Sequence, residues 1–376
     1  MTTHNDDNPV SIVGIGTAQP GYQASQSDLA RAYESYLAQV DGDIRAARRA
    51  RLAFRRAQVE TRRFVLPDFV HPTERLLYSP DAPVPTTSAR LRVFDQHGIG
   101  LAESACRKAL ASAEVEPEQV SHVVIATCTG VGARDFDVRL CGRLGLPSNA
   151  ERSQIVWMSC TAGFPALRCA RYAASARPGS YTLVVCIELC SLHVQTQDSM
   201  GSILAHSLFS DGAAAVVLAG HHKSDDALVV LHGGRTEMLT DHRDKLRWEF
   251  SDTGFRAHID PELPELIGAN VAPFVRKLGD ERLERTRAWV VHPGGSAILD
   301  EVERAMGLDA EALATSRSVL RERGNMSSAT VFHVLERKLA ACAPGDLGIM
   351  LGFGTGLTFE GLPFTRGGRT APRVDR

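Results

Sequence analysis

Three short stretches carry side chains whose types and spacing suit chemistry. The first is Gln154-Ile-Val-Trp-Met-Ser-Cys160-Thr-Ala-Gly, where the apolar run Ile155 to Met158 reads as a buried strand and a helical pattern begins directly after Cys160. Ala162, Gly163 and Ala166 are small enough for a crowded first turn, and Pro165 falls where a first turn tolerates proline. This places Cys160 at a strand-to-helix junction, where free backbone N–H groups and the positive end of the helix dipole lower a thiol's pKa and prepare a nucleophile. The second is Trp289-Val-Val-His292-Pro-Gly-Gly295, with His292 at the C-terminal end of a predicted strand and two glycines that admit a close backbone or ligand approach. The third is Arg323-Gly-Asn325-Met-Ser-Ser328, with Asn325 just ahead of an apolar helix.

Singly, these are equally well read as a core cysteine, a histidine bonded to backbone and a capping asparagine. Together they suit one reaction. A cysteine takes an acyl group as a thioester, while a neutral histidine and an asparagine donate to the carbonyl of a second thioester. Loss of carbon dioxide from that second group leaves an enolate that attacks the first. The amide and the imidazole N–H act as an oxyanion-hole pair, and no carboxylate base is needed.

The elements that must position them alternate along the chain. Val10–Gly16, Val120–Thr127, Tyr181–Ile187 and Ala213–Ala219 read as strands, with Ser210-Asp211-Gly212 as a turn before the last. Helices are predicted after a cap near Ser25 or Ser27, over about 95–114, from Val138 to Leu144 and near Met200–Leu208. The polar run His221 to Asp226 reads as a surface linker rather than a metal site. Beyond it the grammar repeats: a helix near 263–278, the strand Ala288–Val291, helices near 296–306 and 327–341, and strands Gly348–Gly352 and Leu357–Leu362. Strands alternating with helices predict an α/β protein with a mixed, mostly buried sheet, in two similar halves, 1–225 with the cysteine and 226–376 with the histidine and asparagine.

With 376 residues, 44% hydrophobic and near neutral at a formal charge of -2, the chain can bury a large core and lacks the charge excess of a general nucleic-acid or membrane-surface binder. Residues 1–9 are polar and read as disordered, without the pattern of a secretory signal, and no apolar run approaches membrane-spanning length. The eight cysteines form no C-x-x-C pair and read as reduced thiols of a cytoplasmic protein. Arginines crowd residues 44–63 (Arg45, Arg48, Arg49, Arg51, Arg55, Arg56, Arg62 and Arg63), as a solvated helix face or a surface for an anionic ligand.

WMSC160TAG, VVHPGG around His292, RGN325MSSAT, LFSDGAAAVVL at 208–218 and GFGTGLT at 352–358 together resemble a bacterial type III polyketide synthase, in the chalcone synthase-like branch of the thiolase superfamily. The resemblance runs over about 10–365 and implies a five-layered αβαβα fold and a homodimer. It also implies an acyltransferase that extends a starter acyl-CoA with malonyl-CoA by decarboxylative condensation, then cyclises the product to a pyrone or a resorcinol- or phloroglucinol-type phenolic. It implies CoA thioesters as substrates, with no cofactor and no metal.

Residue by residue, Cys160 matches the acyl-carrying nucleophile, and His292 and Asn325 match the pair that supports decarboxylation. The match also implies a thiolate at Cys160 paired at rest with an imidazolium at His292. Phe209 and Phe255 match the two phenylalanines gating the passage between CoA tunnel and cavity. Arg56 matches a CoA-phosphate contact, with Gly294 and Gly295 beside the same ligand. Glu188, Ser327 and Ala205 fall at pocket positions of family type. His193 stands where a small polar residue lines the starter pocket, Cys190 replaces a threonine on that wall, and Thr355 replaces a proline in the GFGPG loop. Ala133 stands where plant enzymes reach a methionine across the dimer interface. His193 therefore predicts a restricted pocket for a small or slender starter.

The alternative is a ketoacyl synthase III-like initiation enzyme that uses an acyl-carrier protein, which the arginine-rich face would dock. Its family follows the histidine with a Gln-Ala-Asn run, where this chain has Pro293-Gly294-Gly295. A non-catalytic, redox-sensing protein on the same fold predicts that one of the three residues is missing, and all three are present.

Overall fold

The structure, a computed structural model, describes residues 10–40, 44–71, 74–79, 82–195, 200–220, 224–279 and 284–371. Residues 1–9, the pair His221-His222 and the side chain of Arg45 lie outside the described residues. The strands are β1 (Val10–Ala18), β2 (Tyr22–Ser25), β3 (Thr61–Phe64), β4 (Val120–Thr127), β5 (Glu151–Val156), β6 (Tyr181–Leu189), β7 (Asp211–Gly220), β8 (Val229–Leu231), β9 (Arg235–Met238), β10 (Leu246–Ser251), β11 (Gly254–Ile259), β12 (Thr286–Val291), β13 (Leu347–Gly354) and β14 (Thr358–Arg366). The helices are α1 (Gln26–Val40), α2 (Ile44–Arg56), α3 (Thr87–Ala113), α4 (Phe136–Leu144), α5 (Gly163–Ala176), α6 (Met200–Leu208), α7 (Leu263–Arg276), α8 (Ser296–Met306), α9 (Ala314–Arg323) and α10 (Thr330–Leu339).

Ten strands form one mixed sheet in the order β12-β13-β14-β8-β1-β7-β6-β4-β5, with β9 added on β14. Strand alternation sorts its side chains into layers. Val123 and Ile125 of β4 and Leu183, Val185 and Ile187 of β6 pack with α3 and α4, whereas Val124, Ala126, Val184 and Cys186 face the other way onto α5 and α10. In the second half Ala288 and Val290 of β12 and Met350 of β13 meet the same central helices, and Trp289, Val291, Ile349 and Leu351 pack outward with α7 and α8. The succession α3/α4, strands, α5/α10, strands, α7/α8 is the expected five-layered αβαβα architecture, its two halves sharing the strand path through β1, β8 and β14.

Four local expectations are corrected. The run Ile155 to Met158 is not a buried strand. β5 ends at Val156 and is the edge of the sheet, paired only with β4, and Val156 and Met158 are 40% and 42% exposed. α3 begins at Thr87, not near 95, because Thr86 accepts the Ala89 N–H on its hydroxyl (3.2 Å) directly after the last proline of the loop. Asp211 and Gly212 are not in a turn but open β7. The Asp211 carboxylate accepts from the N–H of Val65 (2.9 Å) and of Ser191 (2.8 Å), and from the Ser191 hydroxyl (2.6 Å), which replaces the water a turn would offer. The segment 327–341 opens with a 3-10 turn over Ser327–Ala329 before α10. The cap predicted near Ser25 or Ser27 is Ser25, whose hydroxyl accepts the Asp28 N–H (3.1 Å).

Candidate active site

Cys160 sits in a 3-10 turn, Ser159–Thr161, between β5 and α5. Its neighbours Trp157 and Ser159 have φ of 62° and 56°, and Ser327 across the site has φ of 49°. Three non-glycine residues in the left-handed region at one spot mark stored strain, which collects at working sites. Close packing holds the turn in place. A Cβ at Gly163 would strike Phe332, one at Gly352 would strike Phe164, and one at Gly354 would collide with Thr161. Cys160 is only 7% exposed, and burial pushes its thiol up to about 11, while the polar side chains of Ser327, Ser159 and Asn325 pull it down.

His292 follows β12, held by its N–H on the Leu351 carbonyl (2.8 Å) and by the Gly294 N–H on its own carbonyl (3.0 Å). The ring is 1% exposed, and neither Nδ1 nor Nε2 has a hydrogen-bond partner. Burial holds the imidazole down at about 3, so it is neutral. The resting ion pair expected between Cys160 and His292 has no hydrogen bond to carry it here, since neither ring nitrogen is partnered, and burial pushes both groups toward their neutral forms. Asn325 is locked in one orientation. Its Oδ1 accepts from the Ser327 N–H (2.8 Å) and the Thr330 hydroxyl (3.3 Å), which leaves Nδ2 as the donor, 3.3 Å from the Gly294 carbonyl.

Beside these residues lies a cavity of about 1090 Å³, counted out to its open mouth. Thr129, Cys190, His193, Ala205, Phe209, Trp248 and Phe255 line it near the site, and its far end runs to Leu29, Tyr33, Phe54 and Phe69 under α1 and α2. Phe209 and Trp248 stand between this cavity and the cysteine. The Phe209 ring meets Trp248 (5.7 Å, tilted), and the Trp248 indole donates to the Ser159 hydroxyl (3.2 Å). Phe255 is not the ring that faces Phe209. It stacks on His193 instead (4.0 Å, 9° between planes) and meets Trp157 and Phe250 edge-on.

His193 is fixed from both nitrogens, Nε2 against the Thr129 carbonyl (2.9 Å) and Nδ1 accepting from the Phe255 N–H (3.4 Å), and burial holds it neutral with a pKa of about 3. Glu188 is not among the lining residues. It is fully buried and accepts from the N–H of Cys128 and Thr129 and from the hydroxyls of Thr129 and Ser328 (both 2.6 Å), tying β4, β6 and the 327–329 turn together behind the site. Ser327 is buried outside the lining with its N–H on Asn325 Oδ1, and Thr355 stands after β13, also outside the lining, and accepts from the Thr358 hydroxyl on its carbonyl (2.8 Å).

Arg56 is exposed at the end of α2, and its carbonyl accepts from the Ser296 hydroxyl (2.8 Å), which brings it beside Gly294, Gly295 and the start of α8. The arginine-rich segment is divided rather than one surface. Arg48, Arg55 and Arg56 are exposed and Arg51 pairs with Glu34, but Arg62 is buried, its guanidinium on Gln26 and on the carbonyls of His206 and Phe209. Burial lowers Arg62 to about 9. Among the described residues no cluster of His, Cys, Asp or Glu is arranged to hold a metal ion.

The sequence reading missed Trp248, Thr129, Ser159 and the wall from α1 and α2. The only signal for Trp248 was the alternation in Leu246-Arg-Trp-Glu-Phe250, which marks β10. The rest is brought together by contacts remote in sequence.

A model of the N-terminal domain of chalcone and stilbene synthases matches residues 2–222, and one of their C-terminal domain matches residues 230–366. Among curated proteins, the alpha-pyrone synthesis polyketide synthase-like Pks18 of Mycobacterium tuberculosis is 30% identical over 363 residues, 94% of this chain and 90% of the relative. Among solved structures, PKS-I of the brown alga Ectocarpus siliculosus superposes with a TM-score of 0.87 at 27% identity, over 97% of this chain and 100% of that one. A type III pentaketide synthase from Neurospora crassa gives 0.83 at 26%, over 95% and 99%.

Proposed function

The chain belongs to the chalcone and stilbene synthase family and is a type III polyketide synthase, an acyltransferase that condenses CoA thioesters without a cofactor, and from that premise we propose which residues carry the reaction and which starter it takes. Cys160 is the acyl carrier. Cys160 gives its thiol proton to an unpartnered nitrogen of His292 as its sulfur attacks the carbonyl of a starter acyl-CoA, and that proton passes to the departing CoA sulfur, which leaves His292 neutral again. Malonyl-CoA then loses carbon dioxide, and the electron pair of the broken C–C bond passes into an enolate. The enolate oxygen accepts from the Nδ2–H of Asn325 and from one ring N–H of His292. The enolate carbon attacks the Cys160 thioester, and the sulfur leaves as a thiolate. Burial favours this role for His292, since a neutral imidazole donates one N–H and its two nitrogens have no protein partner to give up. Arg56, with the backbone at Gly294 and Gly295, receives the CoA phosphates at the mouth, and Phe209 with Trp248 forms the passage between that mouth and the cavity.

The observation that carries the choice of starter is the shape and lining of the cavity. His193, stacked on Phe255, narrows the near end, while the far end is walled by Leu29, Tyr33, Phe54 and Phe69. Such a space fits a slender aliphatic acyl chain, with the growing polyketide folding near Cys190, Ala205 and Thr129. Ring closure by lactonisation to a pyrone is the proposed outcome, in keeping with the alpha-pyrone synthesis for which the mycobacterial relative is named. Incubation with malonyl-CoA and a matched panel of aliphatic and aromatic acyl-CoAs tests this. Alkyl pyrones as main products support it, and preferential use of bulky aromatic starters contradicts it.

The exposed Arg48, Arg55 and Arg56 also suit an acyl-carrier protein as starter donor, a second route that the same assay separates by comparing carrier-bound with CoA-bound acyl groups. The enzyme acts as a homodimer, for which the exposed edge strand β5 with Val156 and Met158 offers a surface that a second copy would cover. The halves 1–225 and 226–376 are two thiolase-like units. The setting is the cytoplasm, supported by free thiols at all eight cysteines, and among the described residues no helix is long and apolar enough to cross a membrane.

A further inference from the structure

We propose that Arg75 selects the far terminus of the starter: its guanidinium receives a carboxylate at the distal end of an aliphatic acyl chain, so that the enzyme takes half-thioesters of dicarboxylic acids. The inference rests on the reading of the cavity as the starter site and adds to it the chemistry of the starter's other end.

Arg75 lines the cavity from the segment between β3 and α3. A row of rings carries the wall toward it. Phe64 meets Phe69 (5.4 Å between centroids), Phe69 meets Tyr78 (5.3 Å), and Arg75 donates from Nη1 to the Tyr78 carbonyl (3.4 Å). Among the described residues this long contact is the one hydrogen bond of the guanidinium, which makes no ion pair, and its Nε is buried without a partner. An arginine offers five N–H donors in a rigid fork that matches a carboxylate, and most of this fork is unspent.

The other charged groups of the lining are engaged. Arg62 donates to Gln26 Oε1 (3.0 Å) and to the carbonyls of His206 (2.6 Å) and Phe209 (2.8 Å). The Asp68 carboxylate accepts from the N–H of Leu76 (3.1 Å), Leu77 (2.7 Å) and Tyr78 (2.7 Å) rather than from Arg75. Those three bonds fix the turn that follows Arg75, and the Tyr78 hydroxyl pins it again by donating to the Ser191 carbonyl (2.8 Å). A half-buried cation without a counter-ion, on a fixed segment beside an apolar wall, gains from an incoming anion and needs little ordering to bind it. An acyl chain whose thioester reacts at Cys160 has its distal end to present there. That carboxylate makes and breaks no bond in the condensation and serves as an anchor.

The test compares kcat/KM for suberoyl-CoA and octanoyl-CoA, which match in length and differ at the distal end. Adipoyl-CoA with hexanoyl-CoA, and dodecanedioyl-CoA with dodecanoyl-CoA, cover the reach of the cavity. The wild-type enzyme should favour the dicarboxylic member of at least one pair, and mass spectrometry should find the free carboxylate retained in the product. Arg75→Met should lower that pair's ratio about tenfold or more, mainly through KM, and Arg75→Lys should restore part of it. A wild-type preference for the plain acyl-CoA in every pair, or a ratio that Arg75→Met leaves unchanged, would overturn the proposal alone. Failure of every member of every pair to acylate Cys160 would instead overturn the aliphatic starter reading, and the proposal with it.

Discussion

Phe209 and Asn325 form an isolated parallel bridge: the Asn325 N–H donates to the Leu208 carbonyl and the Ser210 N–H donates to the Asn325 carbonyl, both at 2.9 Å. A ring on the passage and the amide assigned to decarboxylation thus share one backbone ladder between the two halves of the chain. With Oδ1 already engaged, Asn325 is preorganised to donate and to do nothing else. Asn325→Asp keeps the acceptor and loses the donor. Decarboxylation of malonyl-CoA should fall roughly 100-fold or more, while acylation of Cys160 by a starter persists. Equal loss of both steps, measured by carbon dioxide release and by adduct formation, would contradict this division of labour.

His193 lines the cavity, held by its stack on Phe255 and its bond to Thr129. His193→Thr should admit bulkier acyl-CoAs, including aromatic ones, and lower stability by about 1–2 kcal/mol from the lost stack and hydrogen bond. The kcat/KM ratio for benzoyl-CoA over hexanoyl-CoA is the readout. An unchanged ratio would count against a restricting role.

Glu188 acts as an internal clamp. Its removal leaves the N–H groups of Cys128 and Thr129 and the Ser328 hydroxyl buried without their acceptor. Glu188→Ala should cost roughly 3–5 kcal/mol in a denaturant titration. A loss below about 1 kcal/mol would mean that the carboxylate is not structural.

Acid should weaken the fold through buried neutral histidines. His333 is held as His193 is, with Nε2 on the Ala213 carbonyl (3.1 Å) and Nδ1 on Arg323 (2.6 Å), and burial keeps it well below its ordinary value. In the unfolded chain both rings take a proton near pH 6.5. Below that pH the unfolded state binds more protons than the folded state, so stability is full above about 6.5 and is lost as the pH falls toward the folded value of about 3 for His193. At pH 5 the His193 share of the loss is about 2 kcal/mol. Urea midpoints at pH 7.5 and 5 check this, and His193→Asn should shrink the difference. A midpoint independent of pH would contradict it.

Fold class was legible because it depends on local signals, the two-residue alternation in β4, β6 and β12, and the small residues after Cys160 marked the tight packing of its turn. Electrostatic state was not legible. Placing Cys160 at a helix start suggested a lowered pKa, whereas burial pushes the thiol up. Edge and centre were also confused, since Ile155 to Met158 is apolar without being covered within one chain. The cavity wall was beyond reach, because Leu29, His193 and Trp248 meet only after three separate segments pack.

The central claim is that Cys160 carries the starter. Intact-protein mass spectrometry after brief exposure to hexanoyl-CoA, with the adduct mapped by proteolysis, tests it most directly. The account predicts one hexanoyl group on Cys160, lost in Cys160→Ala and discharged when malonyl-CoA is added. An adduct that survives Cys160→Ala, or one that malonyl-CoA does not discharge, would contradict it.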